Sequence, residues 1–225
     1  MPRIKRLVVP GYPHHVTQRG NRRQRTFFNQ EDYETYRLLI SKAKEKASID
    51  IWAYCLMPNH VHFIVVPREE DSLANLFRDA HRQYTRKINL RNEWRGHLWQ
   101  ERFHSFVMDE PHLTAAVRYV EQNPVRAGLC KNPSEWPWSS TSAHLNGRND
   151  LLVEVGPMLE RFPAWQQYLC VGETEKTIES IHQHSSTGRP AGNKDFLASL
   201  ERLTGRELCL KKAGRKKNAE MRLNR

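Results

Sequence analysis

Two β-rich stretches, IDIWAYCLM at residues 49–57 and HVHFIVV at 60–66, are separated by only Pro58 and Asn59. Runs of this kind read as strands, and so short a link pairs them as an antiparallel hairpin. The flanking pattern supplies the rest of a domain. HHVTQR at 14–19 reads as a strand that ends in a Gly20-Asn21 turn and a basic loop. From Gln30 to Lys46, Tyr33, Tyr36, Leu39, Ile40 and Ala43 recur at three- and four-residue steps, which predicts a helix. Residues 72–90 predict a second, with Leu73, Leu76, Phe77, Ala80 and Tyr84 on one face. HLWQERFHSFVM (97–108) is a further β-like run, and residues 110–123 a third helix. The order predicts an α+β, ferredoxin-like sandwich: a four-stranded antiparallel sheet with helices packed on one side, followed by a helical, basic C-terminal extension.

Beyond Pro133 the composition shifts. We expect a core domain over 1–145, a helical extension over 146–184 with short helices near 156–171 and 173–184, and a DNA-binding segment over 185–225. That last segment comprises a Ser/Gly/Pro linker (HSSTGRPAGNK), a short helix DFLASLERLTG capped by Gly205, and a basic tail expected to be mobile without its ligand. Cys55, Cys130, Cys170 and Cys209 are too widely spaced for a zinc knuckle and read as reduced packing residues. No apolar run approaches the ~20 residues needed to cross a bilayer, and the N-terminus does not read as a signal peptide. A cytoplasmic, nucleoid-associated protein is expected.

The net charge of +11 is clustered. Residues 1–25 hold seven Lys/Arg and no acid, residues 211–225 hold seven against Glu220, and Arg78, Arg82 and Arg86 recur at helical spacing. Such clusters point to a polyanion. The basic stretches lack strong apolar faces, so nucleic acid is favoured over a membrane surface. Phosphate contacts are expected from Arg19, Arg22, Arg23, Arg25, Arg78, Arg82 and Arg86. Arg189, in a Gly-Arg-Pro sequence, is a candidate minor-groove hook, a plain linker being the equal alternative. Trp136, Trp138 or Tyr12 could stack on bases, although packing against the sheet is the better reading for the tryptophans.

In a strand, side chains alternate. His60 and His62 therefore share a face while Val61 points into the core, and two neutral imidazoles there could converge on one ion. The similarly spaced His182 and His184 flank a polar residue in a helical or loop-like context, and are expected to be inert. In the third helix, Leu113, Ala116, Val117 and Val120 form the core stripe. Tyr119 and Asn123 lie on one flank, about 110° and about 70° from its centre and one turn apart. Pro124 is expected to end the helix at Asn123, leaving the amide frayed and adjustable. Glu121 points elsewhere; Gln122 is poorly aligned.

The chain resembles the REP-associated tyrosine transposases, single-tyrosine HUH endonucleases, in four stretches: PGYPHHVTQRGNRRQRTFF, MPNHVHFIVVP, LWQERFHSF and RYVEQNPVRAGL. STGRPAGNKDFLASLERLTGREL is similar to an extension of longer members. His14 stands where the family often has tyrosine, so His15 is expected to be a sheet residue without a catalytic role. The resemblance implies Mg²⁺ or Mn²⁺ at His60 and His62, with Asn123 in the position of a longer glutamine as third ligand. It also implies Tyr119 as the nucleophile forming a 5′-phosphotyrosine. The implied substrate is single-stranded or hairpin DNA of the repetitive extragenic palindromic (REP) type. No membrane or organic cofactor is expected, and a monomer is the working expectation. The alternatives are a non-catalytic protein that holds hairpin or single-stranded nucleic acid, a replication initiator or relaxase of the same superfamily, and, poorly fitting the charge, a zinc hydrolase.

Overall fold

The computed structural model describes residues 6–208. The expected basic tail, and Cys209 with it, lie outside these residues. Strands β1 (His14–Arg19), β2 (Ile49–Met57), β3 (His60–Pro67) and β4 (His104–Val107) form one sheet in the order β2-β3-β1-β4, with every neighbouring pair antiparallel. This is the strand order of the ferredoxin-like sandwich. The hairpin forms across Pro58-Asn59, pairing Met57 with His60. A bulge between Ile51 and Ala53 inserts one residue into β2. It switches the inward set from odd to even positions, so Ile49, Ile51, Tyr54 and Leu56 all join one core cluster.

Helices α1 (Gln30–Ala47) and α2 (Ser72–Arg91) cover that face. Asn29 caps α1 by accepting from the Asp32 amide, satisfying one of the donors a helix start leaves open. The tyrosines of the α1 stripe fill the layer: Tyr36 is fully buried beside Phe27 and Tyr84. Trp136 and Trp138 pack here too. Trp138 stacks on Tyr33 at 4.6 Å and Trp136 donates from Nε1 to the Leu56 carbonyl at 3.1 Å, so packing is their role.

Covering helices were expected on one side, and α1 and α2 lie there. The other face is covered as well. β3 is buried along both faces, with Ile64 as apolar as Val61 and Phe63, and a strand with two apolar faces needs cover on both. Helix α3 (Glu110–Glu121) supplies it through Leu113, Ala116, Val117 and Val120, packed over Ala53, Cys55, Ile64 and Phe106. Asp109 caps α3 through the His112 amide. The chain continues as α4 (Asn123–Arg126), α5 (Thr141–Asn146), α6 (Gly156–Arg161), α7 (Trp165–Cys170), α8 (Glu175–Thr187) and α9 (Lys194–Thr204). Gly205 caps α9 in the left-handed region, as expected.

Two expectations need correction. Only His104–Val107 of the 97–108 run is a strand; Trp99 makes an isolated bridge to Gly20. The segment read as a linker is structured: its first four residues finish α8, across the 184/185 division, and Ala191 then bonds to the edge of β4. Its amide donates to Val107 O at 2.8 Å and its carbonyl accepts from Asp109 N at 2.9 Å. Helix α8 is thereby held against β1, β4 and α3.

Candidate active site

The β1–β3 register aligns Arg19 with His60 and Thr17 with His62. Alternation directs Val61 into the α1/α2 core and both histidines to the opposite face, under α3. The His60 and His62 rings meet at 4.9 Å, edge to face. From the helix packed on that same face, Tyr119 of α3 brings its ring to 5.6 Å from His62 and 6.2 Å from His15. Three rings that are distant in sequence thus share one partly covered site, with Tyr119 7% and His62 5% exposed.

Each imidazole is held by a named partner. His60 Nδ1 lies 2.6 Å from Asn59 Oδ1, which can only accept. His60 is therefore the Nδ1–H tautomer, and its Nε2 carries the lone pair. His62 Nδ1 lies 2.9 Å from His15 Nε2, and His15 Nδ1 lies 3.3 Å from Ser185 Oγ. With His62 donating from Nδ1, His15 donates onward to Ser185 and the His62 Nε2 lone pair is left over. That atom is buried without a partner. Burial drives all three histidines to the neutral form: His15 and His60 fall to about 3, the latter helped down by Arg19, and His62 lies well below the usual imidazole range.

A metal would fit this donor set. His60 and His62 lie on one face of β3, and each ring is engaged at Nδ1, which leaves its Nε2 for an ion, the pattern of metal-ligating histidines. Asn123 adjoins: it is buried beside the Tyr119 phenol, its Nδ2 makes no hydrogen bond, and its Oδ1 is the atom that would ligate an ion. Among the described residues no group of three or more His, Cys, Asp or Glu side chains is arranged to hold a metal. Any site here is two imidazoles completed by an amide.

The Asn123 environment differs from the expectation. Helix α3 ends at Glu121, Gln122 turns the chain, and Asn123 starts α4 with Pro124 in its first turn. Proline is tolerated there because its missing N–H would have no helical partner. Asn123 is thus buried rather than frayed. Glu121 points away, as expected, into a buried network: it accepts from Ser140 at 2.5 Å, His144 Nδ1 at 2.7 Å and Trp165 Nε1 at 3.0 Å. Gln122 donates to the Leu169 carbonyl.

Three residues escaped the sequence reading. His182, expected to be inert, places Nε2 3.0 Å from the Tyr119 hydroxyl. Its partner in that pair, His184, is engaged with the Arg189 carbonyl, so the two do not act together. His15, expected to have no role beyond the sheet, orients His62. Arg126 sets its guanidinium 4.3 Å from the Tyr119 ring centre and donates to the Tyr119 carbonyl. Burial pushes the Tyr119 phenol up, while Arg126, Arg19 and Asn123 oppose that rise. The RYVEQNPVR sequence places Arg126 two turns after Tyr119, a signal that proximity to a candidate nucleophile could have flagged.

Residues 9–123 match the family model described as "Transposase IS200 like". The Escherichia coli REP-associated tyrosine transposase is 31% identical over 121 residues, covering 53% of this chain and 70% of its own length. The chain belongs to the REP-associated tyrosine transposases. A solved REP-associated tyrosine transposase bound to a REP hairpin has 26% sequence identity, with a TM-score of 0.56 over 69% of this chain and 93% of that one.

In this REP-associated transposase the predicted arginines divide between two places. Arg19, Arg22, Arg23 and Arg25 border the His60 end of the site. Asn59 donates to the Arg23 carbonyl and Gly20 donates to the Asn59 carbonyl. Gly20 is required by close approach, since a Cβ there would meet Gln24 O at 2.4 Å. Arg22 and Arg23 both take positive φ, and with Arg25 they are exposed. Arg78, Arg82 and Arg86 lie on α2, across the sheet from Tyr119. Arg78 and Arg82 share Asp79 and line a separate cleft of about 610 Å³ with Phe77, Trp99 and Phe103. Arg189, half-buried, donates from its guanidinium to the Leu208 carbonyl.

Proposed function

We propose that the protein is a single-strand-specific DNA endonuclease and strand transferase that cleaves REP-type hairpin DNA through a covalent 5′-phosphotyrosine on Tyr119. His60, His62 and Asn123 would hold Mg²⁺ or Mn²⁺. The observation that carries this reading is the meeting of Tyr119 with His62 and His15 beside the basic Arg19–Arg25 loop. The hairpin in the solved relative and the family membership support the substrate class.

When bound, the ion supplies Lewis-acid polarisation of the scissile phosphate. The chain's own groups do the rest. Arg19 and the loop arginines pair with phosphates and position the strand. Arg126 and Arg19 favour negative charge on the phenol oxygen as it attacks. Asn59 keeps the His60 ring in the Nδ1–H tautomer, and His15 engages His62 Nδ1 so that His62 Nε2 is left for the ion. The phosphodiester's energy is kept in the tyrosine ester, so rejoining to another 3′-hydroxyl needs no ATP. We place the protein in the cytoplasm, at the nucleoid, acting as a monomer.

A labelled hairpin with a single-stranded flank, incubated with Mn²⁺, tests the reading. The expected result is a denaturation-resistant protein–DNA adduct that disappears in Tyr119→Phe. Tight hairpin binding with no adduct would establish a non-catalytic binding protein instead.

A further inference from the structure

We propose that His182 is a catalytic residue, the base that takes the proton of the Tyr119 phenol. The proposal rests on the phosphotyrosine reading above and names a component it lacks. Burial keeps the phenol protonated, and Arg19, Arg126 and Asn123, which ease that effect, are not proton acceptors at neutral pH. The histidines of the sheet are committed: His15 bonds both His62 and Ser185, and the Nδ1 atoms of His60 and His62 are engaged with Asn59 and His15. His182 differs. Its Nε2 lies at hydrogen-bonding distance from the attacking oxygen, and the residue is otherwise exposed, so a proton it accepts can pass to water.

The position is built, not incidental. Helix α8 is capped at both ends, by the Thr174 side chain accepting from Thr177 N and by left-handed Gly188 donating to His184 O. Ile181 anchors it in the core under α3. His182 and Ser185, three residues apart and so on one face, engage Tyr119 and His15 respectively. The groups around the phenol are His15 and Arg19 from β1, Cys55 from β2, His62 from β3, and Asn123 and Arg126 from α4.

In the step, the Tyr119 O–H bond breaks as its oxygen bonds to phosphorus, and the proton moves to His182 Nε2. The bond from phosphorus to the 3′ oxygen breaks, and that oxygen takes a proton from water while His182 returns one. One proton passes, net, from phenol to 3′-hydroxyl. In rejoining, the incoming 3′-hydroxyl gives its proton to water, His182 takes one up from water, and the imidazolium so formed protonates the departing phenol oxygen.

The test is single-turnover adduct formation on the hairpin with Mn²⁺. His182→Ala and His182→Gln are expected to slow it by roughly 10²-fold or more, the usual scale of general-base catalysis, with hairpin affinity unchanged. Glutamine can still accept a hydrogen bond but is not a base, so equal slowing of both variants separates proton transfer from helix docking. Added imidazoles should restore part of the His182→Ala rate, the more basic ones restoring more. A His182→Gln protein with the wild-type rate overturns the proposal while leaving the Tyr119 reading intact. A faster His182→Ala protein also overturns it, and makes α8 a cover over the phenol. Absence of any Tyr119-dependent adduct in the wild type removes both.

Discussion

His15 Nε2 and His62 Nδ1 lie 2.9 Å apart, with the two rings within 4° of parallel. The contact joins β1 to β3 and fixes which nitrogen of His62 can face an ion. Partners of this kind typically tune metal affinity by 10–100-fold. His15→Ala is therefore expected to weaken Mn²⁺ binding by about that factor, measured by calorimetry on the DNA-free protein, with the far-UV spectrum preserved. An unchanged affinity would show that the His62 ring is oriented by its packing alone.

The division of the arginines between two faces makes a second prediction. Replacing Arg22, Arg23 and Arg25 together by alanine should weaken hairpin binding and lower the slope of log affinity against log salt by about one for each phosphate that is no longer neutralised. The same measurement on an Arg78/Arg82/Arg86 triple-alanine variant should give a smaller change. Arg78 and Arg82 already share Asp79, and α2 lies on the far side of the sheet from Tyr119. Equal slopes in the two variants would instead mean that the DNA wraps both faces.

β-rich runs bounded by turn residues made β1 and the β2–β3 hairpin legible, and helical periodicity made α1 and α2 legible, because each of those helices buries one regular stripe. The same logic put His60, His62 and Tyr119 on the surfaces that meet. It failed where a contact depends on elements far apart in sequence. His182 lies 63 positions from Tyr119, and no local pattern tells that its helix crosses the phenol. Its helical or loop-like context rightly argues against a paired site with His184, but does not show that one of the two faces another element. Asn123 was misjudged as frayed because proline was read as a stop; Pro124 sits in the first turn of the next helix instead. The Ser/Gly/Pro stretch looked like a linker because its attachment to β4 runs through backbone groups, which composition does not reveal.

Glu121, two residues from both Tyr119 and Asn123, ties the end of α3 to α5 and α7 by accepting from Ser140, His144 and Trp165 in a fully buried setting. Glu121→Ala leaves His144 Nδ1 and Trp165 Nε1 without an acceptor, at about 1–3 kcal/mol each, while Ser140 keeps the Tyr54 carbonyl. A loss of at least ~2 kcal/mol is expected from the urea midpoint. Glu121→Gln retains one acceptor oxygen and should lose less. A neutral Glu121→Ala result would mean that water enters and satisfies the donors.

Stability should also fall with acid, through histidines buried away from the phenol. His14 donates to the Tyr12 carbonyl and accepts from the Val9 amide, and burial lowers it to about 4. His81 is paired with the Tyr36 hydroxyl, and burial lowers it to about 3. In the unfolded chain each titrates near 6.5. Above that pH both states are neutral and these groups leave stability unchanged. Between about 6.5 and the folded values the unfolded chain holds more protons, so unfolding becomes easier as pH falls. Melting temperatures should therefore be level from pH 8 to about 7 and decline towards pH 4.5, where carboxylates begin to contribute. His81→Gln can still accept from Tyr36 but does not titrate. It should start less stable at pH 7.5 and decline less steeply, and parallel curves for the two proteins would show that His81 is not one of the groups taking up a proton on unfolding.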